Sequence, residues 1–483
     1  MNKNVFSNFI WRFLERCGAQ GVTFIVSIVL ARLLDPEVYG TVALVTVLIT
    51  ILQVFVDSGF GTALIQKKDA DDLDFSTVFF FNLAMCLFLY AVVFFTAPWI
   101  AAFYEIPELV PVIRVMSLTL IISGVKNIQQ AYISRNMLFK KFFFATLGAT
   151  VFSAAVGIVI AVKGLGVWAL VGQSLSNTVI STITLWATVK WRPKLMFSFQ
   201  RLKGLFSFGW KLLLSALLET VYNDLRQMII GKMYTSSDLA FYNKGKQLPN
   251  LAITNVNISI DSVLLPTMAA AQDDRNKVKA MTRRSIKISS YIIMPIMMGL
   301  AVCAEPLVGL LYTDKWLPCV PYLRIFCIVF AFYPIHTANL NAIKAVGRSD
   351  LFLKLEIIKK VIGLAAILAT MWYGIMPMTL ILIATTILNS VVNAFPNRKL
   401  LNYRYTEQIM DMLPSVLLSG VMGAIVYCVS FLSLNRLFTL VLQVLLGVVI
   451  YVAGSALMKL ESFRYILDVI MKAFKIKVKA KEN

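Results

Sequence analysis

The sequence predicts an all-α, polytopic membrane protein, and two bulk observations carry that prediction. Of 483 residues, 59% are hydrophobic and only 15% are charged, with a mean hydropathy of +0.77. Soluble globular chains of this size do not have that composition. Apolar runs of about 20 residues, the length a helix needs to cross the hydrocarbon core, recur from end to end. A third observation concerns the first run. Arg12, Arg16, Gln20, Thr23 and Ser27 follow one another at the spacing of a single helix face.

Length and hydropathy place about fourteen spanning helices. In order they cover 9–34, 39–64, 75–97, 110–133, 142–162, 167–189, 208–230, 248–270, 286–311, 320–343, 353–373, 377–395, 413–434 and 437–457. Arg12, Glu15 and Arg16 interrupt the apolar core that a cleavable signal would need, so the first helix is read as retained. The connections test the order. With the N-terminus inside, the inward connections hold Lys67 and Lys68, then Arg135, Lys140 and Lys141, then Lys190, Arg192, Lys194, Arg201 and Lys203. The next is richest, with Arg275, Lys277, Lys279, Arg283, Arg284 and Lys287. A basic bias on alternate connections is the signature of cytoplasmic loops, and it places both termini in the cytoplasm. The net charge of +21 therefore reads as membrane orientation, with no nucleic-acid partner expected.

The chain also resembles itself. The stripe on the first helix has a counterpart in Lys211, Ser215, Glu219, Tyr222 and Arg226, and a tryptophan, Trp11 or Trp210, precedes each. LLDPEVYG (33–40) follows the first stripe and TSSDLAFYN (235–243) the second. The next helices end in Val-Asp-Ser (56–58) and Ile-Asp-Ser (260–262). Copies about 200 residues apart predict two six-helix, pseudo-symmetric lobes plus two C-terminal helices. The expected division is an N-lobe at 1–190, a cytoplasmic amphipathic linker at 191–207 and a C-lobe at 208–397. Two helices at 398–458 and a basic cytoplasmic tail at 459–483 follow. The linker mixes Trp191, Phe197, Phe199, Leu202 and Leu205 with basic residues, as a segment lying on an anionic leaflet would.

Catalytic and cofactor motifs are absent: there is no GxxxxGK[ST], no HExxH and no CxxC, so neither a cofactor nor a metal is expected. GLGVWA (164–169) fits a loose GxGxxA pattern but lies between two membrane helices, without a Rossmann strand. The informative residues are charges in membrane spans, which cost about 3 kcal/mol each at the bilayer centre on translocon scales. Candidate cavity residues are Arg12, Arg16, Gln20, Lys126, Lys211, Arg226 and Arg324; candidate ion-coupling residues are Glu15, Glu219 and Asp224. Plainer readings stand beside these. Glu15 pairs with Arg12 or Arg16 one turn away, Glu356 pairs with Lys359 or Lys360, and Lys211 and Arg12 anchor helix ends at the headgroups. His336 reads as a satisfied interior histidine rather than a proton relay. The surplus of cations suits an anionic substrate such as a diphosphate.

LARLLDPEVYG (30–40), DSGFGTALIQKK (57–68), PTMAAAQDD (266–274), YTDKWLPCVPYLRI (312–325) and GRSDLFLK (347–354) stand in an order that resembles the Wzx-type polysaccharide-transporter flippases. The closest likeness is to the colanic-acid and teichuronic-acid exporter branch. That family belongs to the MOP superfamily, with MATE exporters and the lipid II flippase MurJ. The resemblance implies two lobes around a central cavity that opens alternately to either side. It implies an undecaprenyl-diphosphate-linked oligosaccharide as cargo, and it carries cationic cavity positions onto Arg12, Arg16, Lys211 and Arg226. Membrane lipids, a polysaccharide polymerase and glycosyltransferases are the expected partners, in a bacterial cytoplasmic membrane. Two rivals remain at this stage. One is a MATE-like, cation-coupled exporter of small organic molecules; the other is a membrane glycosyltransferase, ligase or polymerase.

Overall fold

The computed structural model describes residues 3–57, 61, 64, 65, 67, 69–432, 434–468 and 471; the side chains of 3–17, 57, 207, 208, 255, 258, 259 and 261–263 lie outside that description. Among the described residues every regular element is a helix. Helix α1 (Lys3–Leu33) turns sharply into α2 (Pro36–Asp57), whose proline sits where a missing N–H leaves no bond unmade. Helix α3 (Asp72–Tyr104) starts in a reciprocal cap, in which Asp74 N–H donates to Asp71 at 2.9 Å and Asp71 N–H to Asp74 at 3.2 Å. Helices α4 (Leu109–Met116) and α5 (Leu118–Arg135) form one span with a break at Ser117. Helices α6 (Phe139–Val162) and α7 (Val167–Thr188) are joined through Gly164 (φ 74°) and Gly166 (φ 52°). The glycines of GLGVWA thus serve a turn that residues with a Cβ rarely make.

Helix α8 (Phe199–Met233) and α9 (Ser236–Ala269) are followed by α10 (Arg275–Val302), capped by the Asp274 side chain on Lys277 N–H at 3.0 Å. The cap explains a shift from expectation: basic residues from Arg275 to Lys287, expected in a loop, form the first turns of α10. The remaining helices are α11 (Ala304–Tyr312), α12 (Val320–Ala331), α13 (Tyr333–Ala345), α14 (Ser349–Thr370), α15 (Ile375–Leu400), α16 (Tyr405–Cys428) and α17 (Arg436–Leu457). Each expected span falls on one helix or a consecutive pair. Nine spans among the described residues are long and apolar enough to cross a bilayer on their own, or ten if the pair Phe199–Phe206 and Gly209–Met233, bent by 49°, counts as one. The chain is a multi-pass membrane protein. The number is below about fourteen because the expected spans 9–34, 167–189, 208–230, 248–270 and 353–373 do not qualify on their own. Helices α8 and α14 carry intramembrane charges, α7 is diluted by Ser, Thr, Asn and Gln and α9 by Asn and Asp, and on α1 the described side chains form only the shorter apolar stretch Gly18–Leu33.

The chain separates into two compact units, Met1–Ala240 and Phe241–Asn483. In the first, α1 packs on α6 and α6 on α7 through Val26, Leu30, Ala154, Ala161 and Ala169. A second core gathers Phe75, Val78, Ile128 and Leu185 around Trp191. Helix α8 counts with this unit because it packs on α2 and α3. The contact boundary therefore lies beyond the 207/208 boundary expected from sequence symmetry. In the second unit α10 is central, packing on α12, α13 and α16 around Ile286, Met294, Ile335, Tyr403 and Met412.

Candidate functional site

The two stripes differ in what the fold does with them. Arg12, Glu15 and Arg16 lie on α1, but their side chains are outside the described residues, as are those of Trp11, Asp57 and Asp261. Further along α1, Gln20 and Thr23 are exposed while Val26 and Leu30 are buried against α6. The apolar face serves the unit's core and the polar face points out of it. On α8, Lys211, Ser215 and Glu219 are exposed, Tyr222 and Asp224 half-buried and Arg226 buried. Asp224 accepts a hydrogen bond from Gln227 Nε2 at 2.8 Å. Lys126 is half-buried on α5. Its polar neighbours have backbone work: Asn127 donates to the Val56 carbonyl at 2.6 Å and Gln129 to the Trp191 carbonyl at 3.1 Å.

The second unit settles several local pairings. Arg324 is exposed, and its Nε donates to the Ala301 carbonyl at 3.2 Å, in the last turn of α10 where a cation meets the negative helix end. Glu356 pairs with Lys359 at 2.6 Å. Asn393 Nδ2 and His336 Nδ1 hydrogen-bond at 2.9 Å. Nearby, Asn339 donates to Gln408 at 2.7 Å and accepts from Asn397 at 2.6 Å, giving α13, α15 and α16 a buried amide network. His336 is thus a partnered interior histidine.

Sequence reasoning missed two carboxylate clusters. Asp74, fully buried, accepts from Lys67 at 2.6 Å and Arg201 at 3.4 Å. Asp411 accepts from Arg283 Nε at 2.7 Å, Arg283 Nη2 at 2.8 Å and the Tyr403 hydroxyl at 2.8 Å. Outside the spans, the Lys287 ammonium lowers the Glu461 carboxyl below its ordinary range. Arg201 and Arg283 lie 127 and 128 residues from their carboxylates, and Lys67 and Tyr403 precede the helices that carry them, so no helix-spacing rule reveals these clusters. Three or more His, Cys, Asp or Glu side chains placed to hold a metal do not occur among the described residues.

A cavity of about 420 Å³ in the first unit is walled almost entirely by apolar side chains, among them Leu44, Ile51, Trp99, Phe103, Ile113 and Met228. Such walls offer hydrocarbon contact and no polar chemistry.

The sequence profile of a family described as "Polysaccharide biosynthesis protein" matches residues 29–321. The chain belongs to that family. Its relatives include the succinoglycan biosynthesis transport protein ExoT of Rhizobium meliloti (strain 1021), 24% identical over 76% of this chain and 74% of that protein. The teichuronic acid biosynthesis protein TuaB of Bacillus subtilis (strain 168) is also 24% identical, over 78% of this chain and 79% of its own. The lipopolysaccharide biosynthesis protein WzxC of Escherichia coli (strain K12) is 22% identical over 88% and 89%. The fold is that of the lipid II flippase MurJ in an inward closed conformation, with a TM-score of 0.76, 15% identity, and coverage of 96% of this chain and 100% of that one. An inward-facing MATE multidrug transporter of the MOP superfamily shares it at a TM-score of 0.59, with 16% identity and coverage of 82% and 94%. This member of the polysaccharide biosynthesis family therefore shares its fold with MurJ and the MATE transporter.

Proposed function

We propose that the chain is a flippase that moves polyprenyl-diphosphate-linked oligosaccharide units across a bacterial cytoplasmic membrane. The observation that carries this reading is the pair of polar stripes. Gln20 and Thr23 on α1, and Lys211, Ser215 and Glu219 on α8, are exposed on helices whose other faces are apolar. Membrane charges on an exposed face mark an aqueous path more often than a lipid face, because lipid cannot solvate them. Membership of a polysaccharide biosynthesis family, with relatives named for succinoglycan transport and for teichuronic acid and lipopolysaccharide synthesis, supplies the cargo class.

In this reading the halves at 1–190 and 208–397 act as two six-helix lobes, with both termini in the cytoplasm. The sugar and diphosphate enter a polar cavity while the prenyl tail stays in lipid. Arg12, Arg16, Lys126, Lys211, Arg226 and Arg324 are the cations assigned to offset desolvation of the diphosphate. Glu15, Glu219 and Asp224 are the assigned carriers of a coupling cation. The protein acts by moving its cargo and does not form or break glycosidic bonds; the polymerase and glycosyltransferases are separate partners. A cavity for small organic cations, the MATE-like alternative, calls for a carboxylate surplus, and these stripes carry the opposite sign.

The test is complementation of a deletion strain with Arg16→Ala or Lys211→Ala. Surface polysaccharide falls at least about tenfold at equal protein level while lipid-linked oligosaccharide accumulates on the cytoplasmic leaflet, as loss of one charge-assisted contact to a diphosphate predicts. Normal export by both variants would sink the cavity assignment. Sensitivity to cationic drugs with normal polysaccharide would favour the MATE-like reading.

A further inference from the structure

The apolar cavity of the first unit has an open mouth and a polar rim. Leu44, Val45, Leu109 and Ile113 are buried and form its floor, whereas Trp99 is 73% and Phe103 56% exposed and form its mouth. Both rings belong to the last two turns of α3, a membrane-spanning helix, close to a connection that the charge pattern assigns to the outward side. The mouth therefore faces hydrocarbon at the depth where membrane proteins collect tryptophan. At the rim Lys232 pairs with Glu105 at 2.8 Å, and its ammonium lies 5.1 Å from the centre of the Phe103 ring. The Lys232 side chain is 35% and the Glu105 side chain 81% exposed, so both groups have bonding capacity left over for a ligand. The hydrogen bond from Lys232 holds the Glu105 carboxyl below its ordinary range, so both groups stay charged at neutral pH. Glu105 also keeps a φ of 60°, the left-handed geometry in which a helix end favours glycine. The chain thus places a carboxylate where the backbone alone favours no side chain. Tyr104, the residue before it, lines the cavity, and its hydroxyl makes no hydrogen bond among the described residues.

We propose that this cavity and its rim bind one phospholipid of the outward leaflet, an acyl chain filling the cavity and an ethanolamine head group resting on the Lys232–Glu105 pair. The inference goes beyond the cargo reading and uses only the orientation of the chain. None of the described stripe residues lines the cavity, so the lipid is a bound neighbour and not cargo. An apolar void open to the bilayer takes up hydrocarbon, because empty space forfeits the dispersion contacts that a chain supplies. A volume of about 420 Å³ lies within the range of ligand sites. The head group matches the rim charge for charge. Its phosphodiester accepts from Lys232 Nζ, its ammonium donates to the Glu105 carboxylate, and the Tyr104 hydroxyl donates to an ester carbonyl at the top of the chain. An anionic head group without an ammonium meets repulsion from Glu105. A trimethylammonium head group has no N–H to give it. Adjacent opposite charges therefore select a head group that carries both charges and N–H donors.

The experiment titrates the purified, delipidated full-length chain in detergent with dioleoylphosphatidylethanolamine or dioleoylphosphatidylglycerol, and native mass spectrometry counts the lipids retained. The expected result is one phosphatidylethanolamine held about tenfold more tightly than phosphatidylglycerol, the margin that one charge-assisted contact supplies. Lys232→Met weakens phosphatidylethanolamine by about tenfold. Glu105→Gly does the same and abolishes the preference between the two lipids, while relieving the left-handed backbone, so its loss of binding is not a loss of folding. Leu48→Trp fills the cavity, which Leu48 lines, and removes the tightly held lipid. Should that variant fail to reach the membrane, the two rim variants decide the matter alone, since both side chains lie at the surface. Phosphatidylglycerol bound as tightly as phosphatidylethanolamine by the unaltered chain overturns the head-group assignment. Phosphatidylethanolamine bound equally by the unaltered chain and the rim variants overturns the site. Neither readout depends on cargo, so failure of the flippase reading is seen separately, as normal polysaccharide in the deletion strain.

Discussion

Pro98 lies inside α3 and has no N–H to give to the carbonyl of Phe94 one turn earlier. Arg114 supplies the missing donor, its Nε reaching the Phe94 carbonyl at 3.2 Å while the guanidinium lies 4.3 Å from the Phe94 ring centre. The same solution recurs in the second unit. Pro295 in α10 leaves the Tyr291 carbonyl without its helical donor, and the Tyr451 hydroxyl donates there at 2.8 Å. In both helices the carbonyl left free by the proline therefore has a donor from another helix. For Arg114 this gives a membrane-embedded cation a structural role distinct from cargo binding. Replacing Arg114 by Met strands the carbonyl and lowers thermal stability in detergent, by an amount on the order of 1–3 kcal/mol. Pro98→Ala restores the helical donor. In the double variant most of the Arg114→Met cost therefore disappears, and a thermal-denaturation cycle over the four proteins reads the coupling. Equal costs with and without Pro98 would show that Arg114 acts elsewhere.

At the scale of elements, the connection from α7 to α8 separates what was legible in the sequence from what was not. Its amphipathic composition was legible, but its division between two neighbours was not. Trp191 is buried, stacks near Tyr132 at 6.3 Å and donates Nε1–H to Asp72 at 3.0 Å. Lys194 pairs with Asp72 at 2.6 Å, and backbone N–H groups of Lys194 and Ser198 donate to Ser76 and Thr77. Leu202 and Leu205 join the same core, whereas Leu195 is 95% and Phe199 73% exposed. Periodicity marks an apolar face but cannot say whether protein or lipid covers it, because both are equally apolar to a sequence rule. Helix order and turns were legible because they rest on local spacing. The Asp74 and Asp411 clusters were not, because Arg201 and Arg283 come from distant helices. Trp191→Ala is expected to cost about 3–5 kcal/mol of stability in detergent. Leu195→Ser with Phe199→Ser stays within about 0.5 kcal/mol. Thermal denaturation in one detergent measures both, and a large loss in the serine variant would mean that those side chains cover protein.

At the scale of the whole molecule, the stripes pose a question of sign rather than of position. A neutral polar path would pass many cargoes. Lys211 and Arg226 attract an anionic head group, and Glu219 and Asp224 on the same helix oppose that attraction, so the sign of the path depends on which of these charges face it. Substitution by alanine removes a cation and also side-chain volume, so it cannot separate charge from packing. Charge reversal can. Lys211 is exposed, so Lys211→Glu and Lys211→Arg place side chains of comparable length without disturbing a core. If the cargo is a diphosphate, Lys211→Arg retains export and Lys211→Glu falls well below the alanine variant, because repulsion adds to the lost attraction. A reversal of one charge near a dianion is expected to change the rate by about tenfold or more, equivalent to about 1.4 kcal/mol. Surface polysaccharide per unit of membrane-inserted protein is the measurement. If Lys211→Glu exports as well as Lys211→Ala, the residue contributes length and hydration at a helix end, and selection by charge must then reside in Arg16 or Arg226.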